Sequence, residues 1–291
     1  MSADADDAGD AADVLTLRRL WQQTADVLGS RHEARWICEV ATALDGDEFE
    51  AALDQPVTER MVQHHDAMVA RYRSGEPLQY VLGRWGFRRL DLAVDRRVLI
   101  PRPETELVVE SVLDLVRDLP HRRIADLGTG SGAIGLALAD ELPLDGTEIW
   151  LSDADGDALD VARANLAGIG RAARNVRVNQ GDWFEALPDG DRFDVIVSNP
   201  PYVADGSELL DASVREWEPA VALFAGADGL DDYRRIVPGA SEHLTTTGSL
   251  VLEIGTDQGA AVRSMCLAAG FRTVDVRPDL AGHDRLVIAT R

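Results

Sequence analysis

Lysine is absent: all 29 basic residues of this 291-residue chain are arginine, and they face 51 acidic residues, for a formal net charge of -22. A surface so acidic repels phosphate backbones and argues against direct nucleic-acid binding. It suits a basic or neutral protein partner, or a salty cytoplasm. Cysteine is nearly absent too. Cys38 and Cys266 are far apart and belong to no Cys-x-x-Cys or Cys/His cluster, so both read as buried free thiols and no metal site is expected. His64-His65-Asp66 has metal-binding residue types, but neighbouring positions on a helix diverge, and a solvated face is expected there. No apolar run approaches the roughly 20 residues of a membrane span, and the N-terminus has no basic-then-apolar signal pattern. A cytoplasmic protein without a membrane partner follows.

What is present falls into three patterns. Residues 1–13 are mostly Asp and Ala, with little to bury, and read as a disordered acidic tail. Residues 14–76 carry apolar side chains at helical spacing. One set is Leu17, Leu20, Trp21, Thr24, Val27 and Leu28, and a second is Ile37, Val40, Ala41 and Leu44 after Ser30, a plausible N-cap. A third is Met61, Met68, Val69 and Tyr72, closed by Gly75 and Pro77. A small helical domain is expected. Over 77–100 the period shortens to two at Leu90, Leu92 and Val94, which reads as a β-hairpin linker. From 101 to 291, one domain begins with a helix whose first turn holds Pro103, with Glu104 and Glu106 at its positive end, and strands then alternate with helices from residue 122. That alternation predicts a doubly wound, mostly parallel α/β sheet of seven strands.

The strand around Val195–Val197 ends in Asn199-Pro200-Pro201-Tyr202. Two successive prolines end the ladder and set Asn199 at the carboxyl edge of the sheet, where open α/β sheets bind ligands. The side-chain carbonyl of Asn199 and the main-chain carbonyl of Pro200 form a pair of acceptors whose natural guest is a planar NH2 group. Tyr202 offers a flat face for a planar amide or base. Upstream, Asp126-Leu127-Gly128-Thr129-Gly130-Ser131-Gly132 closes the first strand of the sheet and opens a helix. A dinucleotide site prefers Gly-x-Gly-x-x-Gly, so this spacing leaves NAD binding as an alternative. Asp126 would tolerate a cationic sulfonium and amino group better than a pyrophosphate. Asp153, after the second strand, is placed to accept from ribose hydroxyls. Asp182 and Trp183, after the third, suit an adenine edge and face, while Trp183 taken alone reads equally as core packing. Arg102 and Glu104, in Ile100-Pro101-Arg102-Pro103-Glu104-Thr105-Glu106, are either a helix-start ion pair or active-site lining.

Taken together, these motifs resemble those of S-adenosylmethionine-dependent methyltransferases acting on a planar nitrogen. More narrowly the chain resembles the peptide chain release factor glutamine N5-methyltransferases, the HemK/PrmC family. Further support comes from Pro77–Gly83, Ile100–Glu106, Glu218-Pro219 with Gly229-Leu230, and Gly282-His283-Asp284-Arg285. The likeness runs from about residue 15 to the end. It implies a Rossmann-like class I methyltransferase sheet behind a helical substrate-recognition domain. Residues 128–132 and Asp153 would hold the methyl donor, with release of S-adenosylhomocysteine. Trp183 would border the adenine, and Asn199 would stand between donor and substrate. Asn199, Pro200, Pro201 and Tyr202 would receive the glutamine of the Gly-Gly-Gln loop of class one release factors. The family leans towards monomers. The alternatives are an adenine N6 or guanine N2 methyltransferase, against which the acidity argues, and a catalytically silent module docking on translation factors.

Overall fold

The computed structural model describes residues 14–208 and 210–291, so the acidic tail read over 1–13 lies outside the described residues. The described residues form two compact units, one ending at Leu82 and the other spanning Gly83–Arg291.

Among the described residues the first unit holds five helices: α1 (Leu17–Leu28), α2 (Arg31–Thr42), α3 (Gly46–Ala51), α4 (Glu59–Arg73) and α5 (Leu78–Leu82). Hydroxyl side chains start three of them: Thr16, Ser30 and Thr58 each accept from the backbone N–H three residues on. One core joins Leu17, Leu20, Cys38, Phe49 and Leu53, and another joins Ile37, Ala41, Met68, Leu78 and Val81. Three readings change. Val27 is 57% exposed, because α1 buries a narrower stripe than its apolar spacing suggests. His65 is not on a solvated face but 6% exposed, with Nε2 2.7 Å from the Thr24 hydroxyl and Nδ1 2.9 Å from Asp66. It is a hydrogen-bonded core histidine. Pro77 opens α5, its carbonyl accepting from the Tyr80 and Val81 N–H groups, so helix continues where a hairpin linker was expected. Arg71 fixes that turn by bonding both Glu76 oxygens and the Tyr80 and Val81 carbonyls.

The second unit opens with an antiparallel hairpin, β1 (Arg84–Phe87) and β2 (Leu90–Ala93), then α6 (Thr105–Val116). Pro103 and Glu104 stand just before α6 rather than in its first turn. Next come β3 (Arg122–Leu127), α7 (Ala133–Glu141), β4 (Thr147–Asp153), α8 (Gly156–Gly168), β5 (Val176–Gln180) and β6 (Phe193–Ser198). The chain closes with α9 (Ala212–Trp217), α10 (Asp231–His243), β7 (Leu244–Glu253), α11 (Gly259–Ala268), β8 (Thr273–Pro278) and β9 (Asp284–Thr290). The seven-stranded order is β5-β4-β3-β6-β7-β9-β8, and β9 alone runs against the others.

The inner strands are buried on both faces, which is why they read as apolar runs without alternation. Two cores follow. One gathers Val108, Val112, Ile124, Leu136, Leu138 and Ile149, and the other Phe193, Ile196, Tyr233, Ile236, Leu250 and Phe271. The order places β4 and β6 on opposite sides of β3. Chain leaving β3 and chain leaving β6 therefore diverge and open a crevice at their carboxyl ends.

Candidate active site

A cavity of ≈ 450 Å³ occupies that crevice. Its walls come from Gly128–Ser131 after β3, Asp153 after β4, Gly181–Trp183 after β5, and Asn199 and Pro201 after β6. Thr105 and residues 97–99 line it from the segment around the start of α6.

The loop after β3 is pinned from two sides. Asp153 Oδ2 accepts from the Gly130 N–H at 2.9 Å, and the Thr129 N–H donates to the Ser152 carbonyl at 2.9 Å. Asp153 also accepts from the Asp155 N–H, and burial pushes its carboxyl above the usual carboxylate range. Gly128 has φ +67°, and a Cβ there would come within 3.2 Å of the Trp183 ring. Trp183 itself adopts φ +49°, unusual for a bulky residue, and its buried indole N–H has no hydrogen-bond partner among the described residues. Asp182 faces the cavity but is paired with Arg235 of α10.

Asp126 does not line the cavity. It is fully buried and braces the loop, accepting from the Thr129 hydroxyl at 2.6 Å and the Gly135 N–H at 3.0 Å. Burial raises its pKa to about 6. Its other oxygen, Oδ1, has no hydrogen-bond partner among the described residues.

Asn199 emerges from β6, whose end is tied to β3 by the Ser198 hydroxyl on the Leu127 carbonyl at 2.7 Å. Asn199 Nδ2 donates to the Thr105 hydroxyl at 3.4 Å, and that hydroxyl donates to Glu253 Oε2 at 2.7 Å. The Asn199 carbonyl oxygen accepts from no described residue, and Asn199 lines the cavity. Tyr202 faces a second cavity of ≈ 390 Å³, shared with Arg102, Val203 and Val214; Leu99 and Ala222 border both cavities. Burial lifts the Tyr202 phenol to about 12. Pro200 is buried and, like Glu104, lines neither cavity. Arg102 pairs with Glu218 at 2.5 Å, and Glu218 also accepts from the Ile100 N–H at 3.1 Å. This pairing spans 116 residues, so Arg102 is bound away from the neighbouring Glu104.

Sequence reasoning missed Thr105, Glu253, Glu218 and Gln258 as site-builders. Glu253 left a signal: it is a lone acid closing the apolar strand run Leu250-Val251-Leu252. It is 1% exposed, and burial raises its carboxyl to about 7, against weaker lowering by the Thr105 hydroxyl. The folded state therefore keeps this proton to higher pH than the unfolded chain does. Between about pH 4.5 and pH 7 the native state binds more protons, so rising pH lowers stability. The melting temperature of Glu253→Gln, relative to wild type, is expected to shift in the variant's favour from pH 5 to pH 8. Calorimetry at the two pH values measures it, and a constant difference would show that burial does not hold the proton.

Residues 105–220 match the family model Methyltransferase small domain, and residues 18–83 match PrmC N-terminal domain. A release factor glutamine methyltransferase of Xylella fastidiosa is 43% identical over 235 residues, covering 81% of this chain and 84% of that protein. One from Cereibacter sphaeroides is 40% identical over 284 residues, covering 96% and 98%. Among solved structures, the hMettl16 catalytic domain in complex with the MAT2A 3'UTR hairpin 6 superposes with a TM-score of 0.55 at 16% identity. That match covers 80% of this chain and 82% of the other, and at such identity it shows a shared fold alone.

Proposed function

Because this chain belongs to the release factor glutamine methyltransferases, enzymes that depend on S-adenosylmethionine, we propose that it methylates the side-chain amide nitrogen of the glutamine in the Gly-Gly-Gln motif of class one release factors. The observation that carries this reading is the Asn199 amide. Its NH2 end is held by Thr105, so its carbonyl end is left as an acceptor at the crevice. An acceptor there fits a substrate NH2 group.

The first cavity fits the methyl donor in its donor set. Asp153 offers carboxylate acceptors for ribose hydroxyls, Trp183 an aromatic face and a buried N–H still to be matched, and Gly128 to Ser131 a backbone lining. When bound, S-adenosylmethionine supplies an electrophilic methyl group on a sulfonium. The rest of the task belongs to the protein.

An amide nitrogen is a poor nucleophile because its lone pair is delocalised into the carbonyl. Asn199 Oδ1 accepts an N–H bond of the glutamine, turns its lone pair towards the reacting carbon, and stabilises positive charge developing on nitrogen. Tyr202 packs against the planar amide, and its raised pKa keeps the phenol neutral. Arg102, which lines the second cavity and is held by buried Glu218, guards the approach of the substrate loop. The product proton leaves for water.

Mass spectrometry of a recombinant class one release factor, incubated with this enzyme and S-adenosylmethionine, tests the proposal. A gain of one methyl group mapped to the Gly-Gly-Gln glutamine is expected. An unmodified release factor together with methylated DNA or RNA in parallel reactions would overturn it.

A further inference from the structure

The Asn199 amide has two ends of similar shape and opposite hydrogen-bonding character, and only one of them suits a substrate NH2. What selects that end lies behind it. The Thr105 hydroxyl carries one hydrogen. It is directed at Glu253 Oε2 over 2.7 Å, which leaves the hydroxyl lone pairs facing Asn199 Nδ2 at 3.4 Å. Thr105 and Glu253 are both buried, and Thr105 stands at the start of α6 while Glu253 ends β7, so the chain joins two elements 148 residues apart.

We infer that Glu253 is a positioning residue which, through the Thr105 hydroxyl, fixes the carbonyl end of the Asn199 amide towards the substrate. The inference rests on the reading of Asn199 as acceptor for the glutamine amide. As a carboxylate, Glu253 only accepts, so the polarity of the chain is set: Asn199 N–H to Thr105 oxygen, Thr105 O–H to Glu253. Once protonated, Glu253 donates to the Thr105 oxygen and frees the hydroxyl hydrogen to bond the Asn199 carbonyl instead. That favours a flipped amide, which would set NH2 against NH2 at the substrate.

The charge state of Glu253 is thus coupled to turnover. The groups whose charge reaches it are Arg285 on β9, Arg102 and Glu104 before α6, Tyr202 after β6 and Tyr233 on α10. Arg285 and Arg102 favour the carboxylate, whereas burial and Glu104 oppose it. The Tyr233 hydroxyl donates to the Glu253 main-chain carbonyl at 2.9 Å and leaves the carboxylate to Thr105.

The test measures kcat, KM for release factor and cofactor affinity by calorimetry in Thr105→Val, Thr105→Ser, Glu253→Gln and Asn199→Ala. Thr105→Val keeps the shape but removes the relay, and kcat is expected to fall about tenfold with cofactor affinity unchanged. Thr105→Ser restores most of the rate. Wild-type kcat rises with pH through the neutral range, and Glu253→Gln, whose carbonyl still accepts from Thr105, loses that inflection while remaining active. A merely structural role would leave the inflection in place. Wild-type kcat in Thr105→Val beside an inactive Asn199→Ala overturns the relay and leaves the reading of Asn199 standing. An unchanged inflection in Glu253→Gln also overturns it. Near-normal turnover in Asn199→Ala removes the reading itself, and the relay with it.

Discussion

Alanine at position 199 is expected to lower kcat by about 10²–10³-fold, as loss of one preorganised transition-state hydrogen-bonding group commonly does. Affinity for S-adenosylmethionine is expected to stay within about twofold of wild type, because the lost interaction is made mainly as charge develops on the substrate nitrogen. The proposed donor contacts lie on other loops: Gly130 is pinned by Asp153, and Trp183 packs beside Gly128. The loop carrying Asn199 also has anchors that the mutation spares, namely Ser198 on the Leu127 carbonyl and Gln258 on the Tyr202 carbonyl. Collapse of the site is therefore not the expected cause of the lost rate. Asn199→Asp sharpens the point. It keeps an acceptor at the crevice but loses the donor to Thr105 and sets a second carboxylate near buried Glu253. Its rate should fall as well. Single-turnover methylation of release factor at saturating donor measures both variants. A kcat for Asn199→Ala within about threefold of wild type would refute the assigned role.

The central sheet was legible because parallel strands buried on both faces must be apolar runs, and helices between them must show a 3.6-residue period. The crevice followed from the same pattern, since Gly128 to Gly132 and Asn199 each close a strand. Short elements were not legible. The helices α3, α5 and α9 span five or six residues, too few to display a period, and Pro77 looks the same whether it ends one helix or opens the next. The first half of β7 was not legible either, because Thr245, Thr246 and Thr247 precede the apolar run that marks the strand. Residue type alone does not separate a ligand-facing acid from a bracing one. Asp126 and Asp153 both accept backbone N–H bonds, yet only Asp153 lines the cavity. Partners distant in sequence were invisible for another reason. Nothing local in Arg102 names Glu218, and nothing in Thr105 names Glu253; the fold brings each pair together across more than a hundred residues.

Gly229→Ala is expected to damage stability and turnover together, and the cause is a backbone contact. Gly229 has φ +72°, where a side chain costs about 1–2 kcal/mol. A Cβ there would lie 2.4 Å from the Tyr202 carbonyl oxygen, 2.9 Å from Gln258 Nε2 and 3.1 Å from the Ala204 nitrogen. Main chain has no rotamer by which to escape, so the segment after β6 and the turn at 229 must separate. They are joined by one side chain: Gln258 Nε2 donates to the Tyr202 carbonyl at 2.9 Å and to the Gly229 carbonyl at 3.1 Å. Gln258 Oε1 accepts from the Gly255 N–H at 2.9 Å, so the amide is fully engaged and its clamp does not stretch without loss. A parallel bridge between Val203 and Phe224 sits on the same segment and would shift with it. Forced overpacking of this kind adds about 1–3 kcal/mol. The melting temperature should drop by on the order of 10 °C. Tyr202, which lines the second cavity, would move with its main chain, so KM for release factor should rise and kcat fall. Gly190→Ala separates the two costs, because Gly190 has φ +77° but open space around its Cβ position. It should lose only the conformational part and keep wild-type kinetics. Equal losses of melting temperature in the two variants, with unchanged kinetics in Gly229→Ala, would show that the Gln258 clamp yields to the added methyl group and does not set the position of Tyr202.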